Sequence, residues 1–118
     1  MWRIILILII LTSTHGIAQQ VENKSLTIAF NKTTSVIFPF SITSVDRGSR
    51  DVLAQKARGV ENVLQVKAAR KDFAETNLTV ITADGVLHQF LVSYSEAPTN
   101  QTMTIVSNSS DESLILVK

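Results

Sequence analysis

The chain has 118 residues, of which 11 are Lys or Arg and 10 are Asp or Glu, and it contains no cysteine. The lack of cysteine excludes disulfides, thiolate metal sites and cysteine nucleophiles, and the near-neutral charge gives no global field for binding nucleic acid. With 45% hydrophobic and 18% charged residues, the composition predicts a single small folded domain rather than a disordered chain.

Residues 1–18 have the layout of a secretory signal peptide. Arg3 supplies a positive charge, residues 4–11 contain only Ile and Leu, and Gly16 and Ala18 are small residues suited to a cleavage site. A permanent membrane anchor is the alternative, but eight apolar residues rise only about 12 Å as a helix against an about 30 Å hydrocarbon layer. We therefore predict a cleaved signal-peptide helix and export. Because an exported domain without disulfides is typical of bacteria, the expected compartment is the periplasm.

Short apolar and β-branched runs, separated by turn residues, indicate that the rest of the chain is built from strands. We predict strands at residues 26–30, 35–40, 42–45 and 63–68, and a pair within residues 77–94. The first two are expected to form a hairpin around Asn31-Lys32. In the second, Val36, Phe38 and Phe40 alternate onto one face.

Residues 51–58 allow two interpretations. Ser49 is suited to cap a helix that Gly59 would end. A strand with Val52 and Ala54 facing inward is equally compatible with the pattern. We favour the strand.

The run at residues 63–68 alternates strictly between apolar and polar side chains. Leu64, Val66 and Ala68 share one face, and Gln65 and Lys67 share the other. This period of two is typical of a strand that lies on a core with one face only.

Two apolar-alternating strands surround residues 83–85, and the length of this loop decides which side chains share a face. A two-residue turn would put Leu78 on the same face as Leu91. A three-residue loop with Gly85 at positive φ would put Leu78 on the same face as Phe90 instead. We predict the three-residue loop, because it collects the large apolar groups on one side. That side would contain Leu78, Val80, Val86, Phe90, Val92 and Tyr94.

About seven short strands predict an all-β fold, an antiparallel, immunoglobulin-like β-sandwich over residues 19–94. All five phenylalanines are expected in its core; they are Phe30, Phe38, Phe40, Phe73 and Phe90. Residues 95–118 are more polar up to residue 113 and end on an apolar run at 114–117. We interpret residues 95–118 as a linker and the start of a truncated C-terminal region.

The densest cluster of charge lies at a Gly-Ser turn and comprises Asp46, Arg47, Ser49, Arg50 and Asp51. Two arginines held by flanking aspartates would be suited to dock a carboxylate or a partner surface with bidentate geometry. The alternative is a solvated loop whose aspartates accept turn hydrogen bonds. These five residues are the candidate interaction site.

For the remaining candidate site residues we favour structural roles. Residues 70–72 are interpreted as a solvated loop. His88 is the one histidine left after the signal peptide, which excludes a multi-histidine zinc site, and it lies on the apolar face of the last strand pair. Without a nucleophile elbow or a glycine-rich phosphate loop, it is interpreted as a packed or half-exposed strand histidine. We predict no catalytic residue, no metal site and no cofactor.

Residues 33–94 resemble the N-terminal part of the TraN proteins of Bacteroides-type conjugative transposons. The strings that carry the resemblance are residues 34–39 (TSVIFP), 44–56 (SVDRGSRDVLAQK), 60–68 (VENVLQVKA) and 76–85 (TNLTVITADG). The last string is also similar to the TrbG/CagX group of type IV secretion outer-membrane core subunits, which have an N-terminal β-sandwich.

The resemblance implies a non-enzymatic structural component of a conjugative transfer, type IV secretion-like apparatus. Its location would be the periplasm at the outer membrane. Its partners would be other transfer proteins of the envelope, in a multi-subunit assembly. The resemblance implies no direct contact with nucleic acid and no small-molecule substrate. TraN proteins continue into a second half that this chain lacks, so a truncated member is expected. The family supplies no catalytic residues, but it favours an interaction or architectural role for the loop at residues 46–51.

Two other classes remain as alternatives. A carbohydrate- or surface-binding module predicts exposed aromatic side chains, of which Tyr94 is the one polar-tipped aromatic left after the signal peptide. A small secreted hydrolase is disfavoured by the lone histidine and the missing nucleophile motif.

Overall fold

The computed structural model describes residues 21–107, which form two packed β-sheets. The strands are β1 (Val21–Ile28), β2 (Thr34–Ile37), β3 (Ile42–Arg47), β4 (Val52–Lys56), β5 (Val63–Ala68), β6 (Thr76–Thr82), β7 (Leu87–Tyr94) and β8 (Thr102–Thr104). The sheets have the orders β1-β7-β6-β3 and β4-β5-β2-β8. The predicted all-β sandwich is confirmed. The predicted signal-peptide helix at residues 1–18 lies outside the described residues.

The pairing within the sheets is not purely antiparallel. β1 pairs in parallel with β7, and β8 pairs in parallel with β2. Both are edge strands whose spatial neighbours lie far away along the chain, so no tight turn forces an antiparallel arrangement.

Over residues 21–107, no helix has the length and apolar character needed to cross a membrane.

The hairpin predicted around Asn31-Lys32 is wrong, because β1 and β2 belong to different sheets. The chain crosses from one sheet to the other at Ala29, which is fully buried and accepts a 2.8 Å hydrogen bond from the amide of Ala68. A tight turn would have kept both strands in one sheet. Crossing instead places the apolar faces of β1 and β2 on opposite walls of the core.

The strand predicted within residues 51–58 is confirmed as β4. It pairs antiparallel with β5, Val52 is fully buried, and Ala54 packs against the core. Gly59 does not end a helix but sits in the turn that follows β4, with a φ of 79°. That value is accessible to glycine at little cost.

The predicted three-residue loop between β6 and β7 is also confirmed. Leu78 pairs with Phe90, not with Leu91. The amide of Gly85 donates to the carbonyl of Thr82 at 2.8 Å, and Gly85 has the expected positive φ of 86°. This register collects the large apolar side chains of both strands on the core face.

The core lies between the sheets and is filled mainly by aliphatic side chains from seven of the eight strands. It includes Leu26, Ile28, Val36, Phe38, Leu64, Val66, Leu78, Val80, Phe90 and Val92. Phe73 is also buried, but Phe30 and Phe40 are 42% and 43% exposed, so the prediction that all five phenylalanines are core is wrong for these two. Both follow the end of a strand, β1 and β2 respectively, where the strand alternation no longer fixes the direction of a side chain.

The sandwich extends beyond Tyr94. Within the range predicted to be linker, residues 102–104 form β8, and Ile105 is buried in the core. The amide of Ile105 donates to the carbonyl of Ile37 at 2.8 Å, which continues the pairing of β8 with β2. A three-residue strand is too short to be recognised by periodicity. The apolar run at 114–117 lies outside the described residues.

The strand directions give the sandwich two distinct ends. The base comprises the start of β1, the connections 38–41, 57–62 and 83–85, and residues 105–107 after β8. The tip comprises the connections 29–33, 48–51, 69–75 and 95–101. The described chain therefore enters and leaves at the base, and the predicted interaction loop lies at the tip.

Candidate interaction site at the tip

The candidate loop joins the two sheets. Asp46 and Arg47 end β3 in one sheet, residues 48–51 make the turn, and β4 begins the edge of the other sheet. Gly48 anchors the turn by donating its amide to the carbonyl of Asn77 at 2.8 Å. The loop is thus a corner of the sandwich rather than a free excursion from one sheet.

Two contacts within the loop fix its shape. The Ser49 hydroxyl accepts a 3.0 Å hydrogen bond from the amide of Asp51, which is a side-chain turn motif. The Arg47 guanidinium donates from Nη1 to the carbonyl of Val52 at 2.8 Å. Arg47 therefore ties the end of β3 to the start of β4, although it remains exposed.

Asp51 makes its ion pair outside the predicted cluster. Its carboxylate receives hydrogen bonds from Nε and Nη2 of Arg70 at 2.8 and 3.3 Å, in bidentate geometry. These bonds, together with the charge of Arg70, lower the pKa of Asp51, and the Asp51 carboxylate raises the pKa of Arg70. The expectation that the aspartates hold the two arginines of their own loop is wrong for Asp51, because folding brings Arg70 from the β5–β6 connection closer. Arg70 is correspondingly not a purely solvated residue.

The two remaining members of the cluster face solvent. β3 alternates so that Asp46 lies on the sheet face opposite to Arg47, and it is exposed. Arg50 is exposed at the apex of the turn and makes no hydrogen bond or ion pair within residues 21–107. The structure therefore separates the cluster into a held part, comprising Arg47, Ser49 and Asp51, and two exposed charges, Asp46 and Arg50.

A groove of about 600 Å³ runs beside this corner and was not foreseen from the sequence. Its lining includes Val45, Arg47, Leu53, Ala54, Gln65 and Lys67. Val45 and Arg47 share the core-facing side of their sheet with Val80 and Leu78, but β4 does not cover them. The sandwich is therefore open between its edge strands β3 and β4. A sequence signal that could have found it is the apolar Leu53, which lies between the inward-facing Val52 and Ala54 and is therefore on the outer face of the strand.

A second concavity of about 300 Å³ lies elsewhere on the tip. It is lined by Phe30, Asn31, Lys71, Tyr94 and Glu96. The Tyr94 ring also packs edge-on against Phe73, with the ring centroids 5.9 Å apart. This site combines one exposed and one half-buried aromatic ring with polar side chains of both charges.

His88 is buried at the base end of the core, as predicted. Its Nε2 lies 3.1 Å from the Thr82 hydroxyl. Its ring packs edge-on against the Phe38 ring, with the ring centroids 5.0 Å apart. Its Nδ1 has no hydrogen-bond partner among the described residues and lies 3.9 Å from the Glu22 carboxylate. No group of three or more His, Cys, Asp or Glu side chains that could hold a metal ion occurs in residues 21–107. The arrangement is that of a packed histidine.

The burial of His88 predicts a pH-dependent stability. Burial lowers its pKa from 6.5, against the opposing influence of Glu22 and Asp84 and with a small supporting effect of Lys24. The unfolded chain then binds a proton more readily than the folded one. The contribution of the neutral His88 side chain to the free energy of unfolding is therefore complete above the unfolded pKa near 6.5. It falls as the pH drops from there to the folded pKa, by at most about 1.4 kcal/mol per pH unit.

Urea unfolding of the wild type and of His88→Gln between pH 7.5 and 5 measures this effect. We expect the wild type to lose more stability than the variant over the part of this range that lies below pH 6.5. Equal slopes for both proteins would contradict a lowered pKa for His88.

A family model described as "Domain of unknown function (DUF8473)" matches residues 26–98, which run from the core half of β1 to just after β7. No curated protein matches the chain.

Proposed function

The chain belongs to the DUF8473 family, and we propose that it is a non-enzymatic structural component of a conjugative transfer, type IV secretion-like apparatus. In this proposal the chain is exported, resides in the periplasm at the outer membrane, and acts by assembling with other transfer proteins of the envelope. The transfer role rests on the resemblance of residues 33–94 to TraN proteins. The role in assembly draws its support from the geometry of the tip.

The observation that carries the assembly role is the placement of the candidate loop. The described chain enters and leaves at the base, the end of the sandwich opposite to the tip. The loop at residues 48–51 lies at that tip, with Arg50 exposed at its apex. A surface of this kind is accessible to a neighbouring subunit.

The rigidity of the loop supports the same role. The Arg47–Val52, Ser49–Asp51 and Asp51–Arg70 contacts hold the turn in one shape before any partner arrives. A preformed surface loses less conformational entropy on binding than a loop that must order itself. The bidentate fork of Arg50 is then available for a carboxylate or a carbonyl of the partner.

The test is recovery of partners by the double variant Arg47→Ala, Arg50→Ala. Tagged wild type and variant would be purified from cells that carry a complete transfer apparatus, and DNA transfer would be measured in the same strains. We expect an about tenfold or larger loss of recovered transfer proteins, since arginines at interface centres are often hot spots.

The matched control is Arg58→Ala, which removes an exposed arginine at the base. It should leave recovery and transfer unchanged. If the double variant recovered the same partners and transferred DNA as well as wild type, the loop would have no part in assembly. If wild type itself recovered no transfer protein, the proposed function would be wrong.

A carbohydrate-binding module is the second candidate, and the concavity at Phe30 and Tyr94 is the observation that favours it. Ligand sites are concave, with apolar and aromatic walls and a few polar groups, and here Asn31, Lys71 and Glu96 supply the polar groups. Phe30→Ala is expected to abolish retention on immobilised polysaccharides. Phe40→Ala, which removes an equally exposed ring at the base, is the control. Absence of retention of the wild type on every polysaccharide tried would exclude this candidate.

A further inference from the structure

The groove between β3 and β4 has free backbone groups along one side. β4 bonds to β5 through Asp51, whose carbonyl accepts from Ala69, and through Ala57, whose amide donates to Val63. In an antiparallel pair, every second residue directs its N–H and C=O away from the neighbouring strand. Ala54 and Lys56 therefore turn their backbone groups outward, and within residues 21–107 no strand pairs with that edge.

The opposite wall repeats this pattern. The Gly48–Asn77 bond fixes the register of β3 on β6, so Val45 and Arg47 direct their backbone groups away from β6. The carbonyl of Val52 at the tip end of β4 is already occupied by Arg47. From Ala54 onward, a strand added to the edge of β4 would meet backbone N–H and C=O groups that no other strand occupies, next to an apolar surface.

The side chains around the groove define what such a strand must carry. Val45 and Leu53 are 36% and 44% exposed, so apolar side chains of a partner would find apolar contacts here. Arg47 and Lys67 are both cationic, and no acidic residue lines the groove. The groove is therefore complementary to an extended segment that combines acidic and β-branched or aliphatic residues.

The chain itself contains a segment of that chemistry. Asp111 and Glu112 are followed, after Ser113, by Leu, Ile, Leu and Val at residues 114–117. No other segment of residues 95–118 matches the groove as well in charge and composition. Residues 95–104, for example, carry a single acidic residue and a proline.

We propose that the groove between β3 and β4 receives residues 111–117 of a second copy of this chain, added as a strand on the edge of β4. The acidic pair lies near Lys67 and Arg47, and the apolar run lies along Val45 and Leu53. This inference extends the proposed assembly role by naming a second copy as one of the partners.

The length of the connection requires a second copy. Ile105 is bonded to Ile37 at the β8 edge of its sheet, and the six residues from there to Asp111 span at most about 21 Å. β8 and β4 are the two opposite edges of one four-stranded sheet. Three strand spacings across the sheet are about 14 Å, and the rise from the level of Ile37 to that of Leu53 is about 13 Å. The tip end of the groove therefore lies about 19 Å away in a straight line through the protein, and the path around its surface is longer. The segment therefore does not reach the groove of its own molecule.

This contact is of the head-to-tail type. Each copy offers its segment to one neighbour and its groove to another, so the assembly closes into a ring or continues as a filament, depending on the rotation between neighbours. Two copies that exchange residues 111–117 reciprocally would instead close as a two-fold dimer.

Charge reversal on both sides of the contact tests the proposal. The oligomeric state of the full mature chain, residues 19–118, would be measured by sedimentation and light scattering over a range of concentrations. We expect concentration-dependent association in the wild type, weakened about tenfold or more by Lys67→Glu and by the pair Asp111→Lys, Glu112→Lys. Combining all three substitutions should restore most of the association.

Arg58→Glu, the same charge change at the base, is the control and should leave association unchanged. A wild-type chain that stays monomeric at every concentration would overturn the proposal. Association that is insensitive to these reversals would also overturn it, and would point to pairing through another edge or face. Either result leaves the co-purification of envelope transfer proteins untouched, so failure here is distinguishable from failure of the proposed function.

Discussion

Replacing Phe90 with alanine is expected to lower the free energy of unfolding by about 3–5 kcal/mol. Phe90 is fully buried, pairs across the sheet with Leu78, and packs edge-on against Phe38 with the ring centroids 6.1 Å apart. Removing the ring deletes apolar contact and leaves a cavity that two rigid sheets cannot close. In a domain of this size, such a loss consumes a large part of the total stability.

The neighbouring Leu91 provides the matched control. It lies on the same strand but on the outer face, and it is 49% exposed. Leu91→Ala should cost no more than about 1 kcal/mol. Urea unfolding followed by circular dichroism measures both variants. Similar losses for the two would mean that the face assignment of β7 is wrong, and with it the three-residue loop.

Replacing Gly48 with alanine is expected to cost about 1–3 kcal/mol by crowding the corner. A Cβ at this position would collide with the side-chain oxygen of Asn77, would lie 2.7 Å from Oγ1 of Thr76, and would lie 3.0 Å from the backbone carbonyl of Asn77. Moving the two side chains away accounts for part of this cost, and the carbonyl cannot follow them, because it belongs to the β3–β6 ladder and accepts the amide of Gly48. The turn must therefore shift, and it carries Arg47 and Ser49 with it.

Gly59→Ala separates crowding from backbone strain. Gly59 has a φ of 79° and no atom within 4 Å of an added Cβ, so its substitution costs conformational strain alone. Introducing Asn77→Ala should reduce the cost of Gly48→Ala and leave the cost of Gly59→Ala unchanged. Thermal unfolding of the single and double variants gives this comparison. An unchanged cost at Gly48 in the Asn77→Ala background would show that the side chain is not what limits the fit.

The candidate site was predictable in position but not in its contacts. The density of charge around Gly48 and Ser49 correctly marks an exposed turn, because such residues satisfy their backbone groups locally. The partner of Asp51 is Arg70, which is 19 residues away and comes from another connection. No local spacing encodes that choice. The same holds for the groove, which exists because β4 fails to cover Val45 and Arg47.

The sequence alone determined which way the side chains point in strands with a strict alternation, whereas it left residues 51–58 open between a strand and a helix. The β6–β7 loop and the inward face of β5 are the clearest cases, because a period of two and one glycine at positive φ define them locally. Only the tertiary structure decided that β1 and β2 separate into different sheets, that β8 completes the second sheet, and that an open edge remains beside β4. Those outcomes depend on how two sheets share one core, and contacts between distant residues carry no signal in local periodicity.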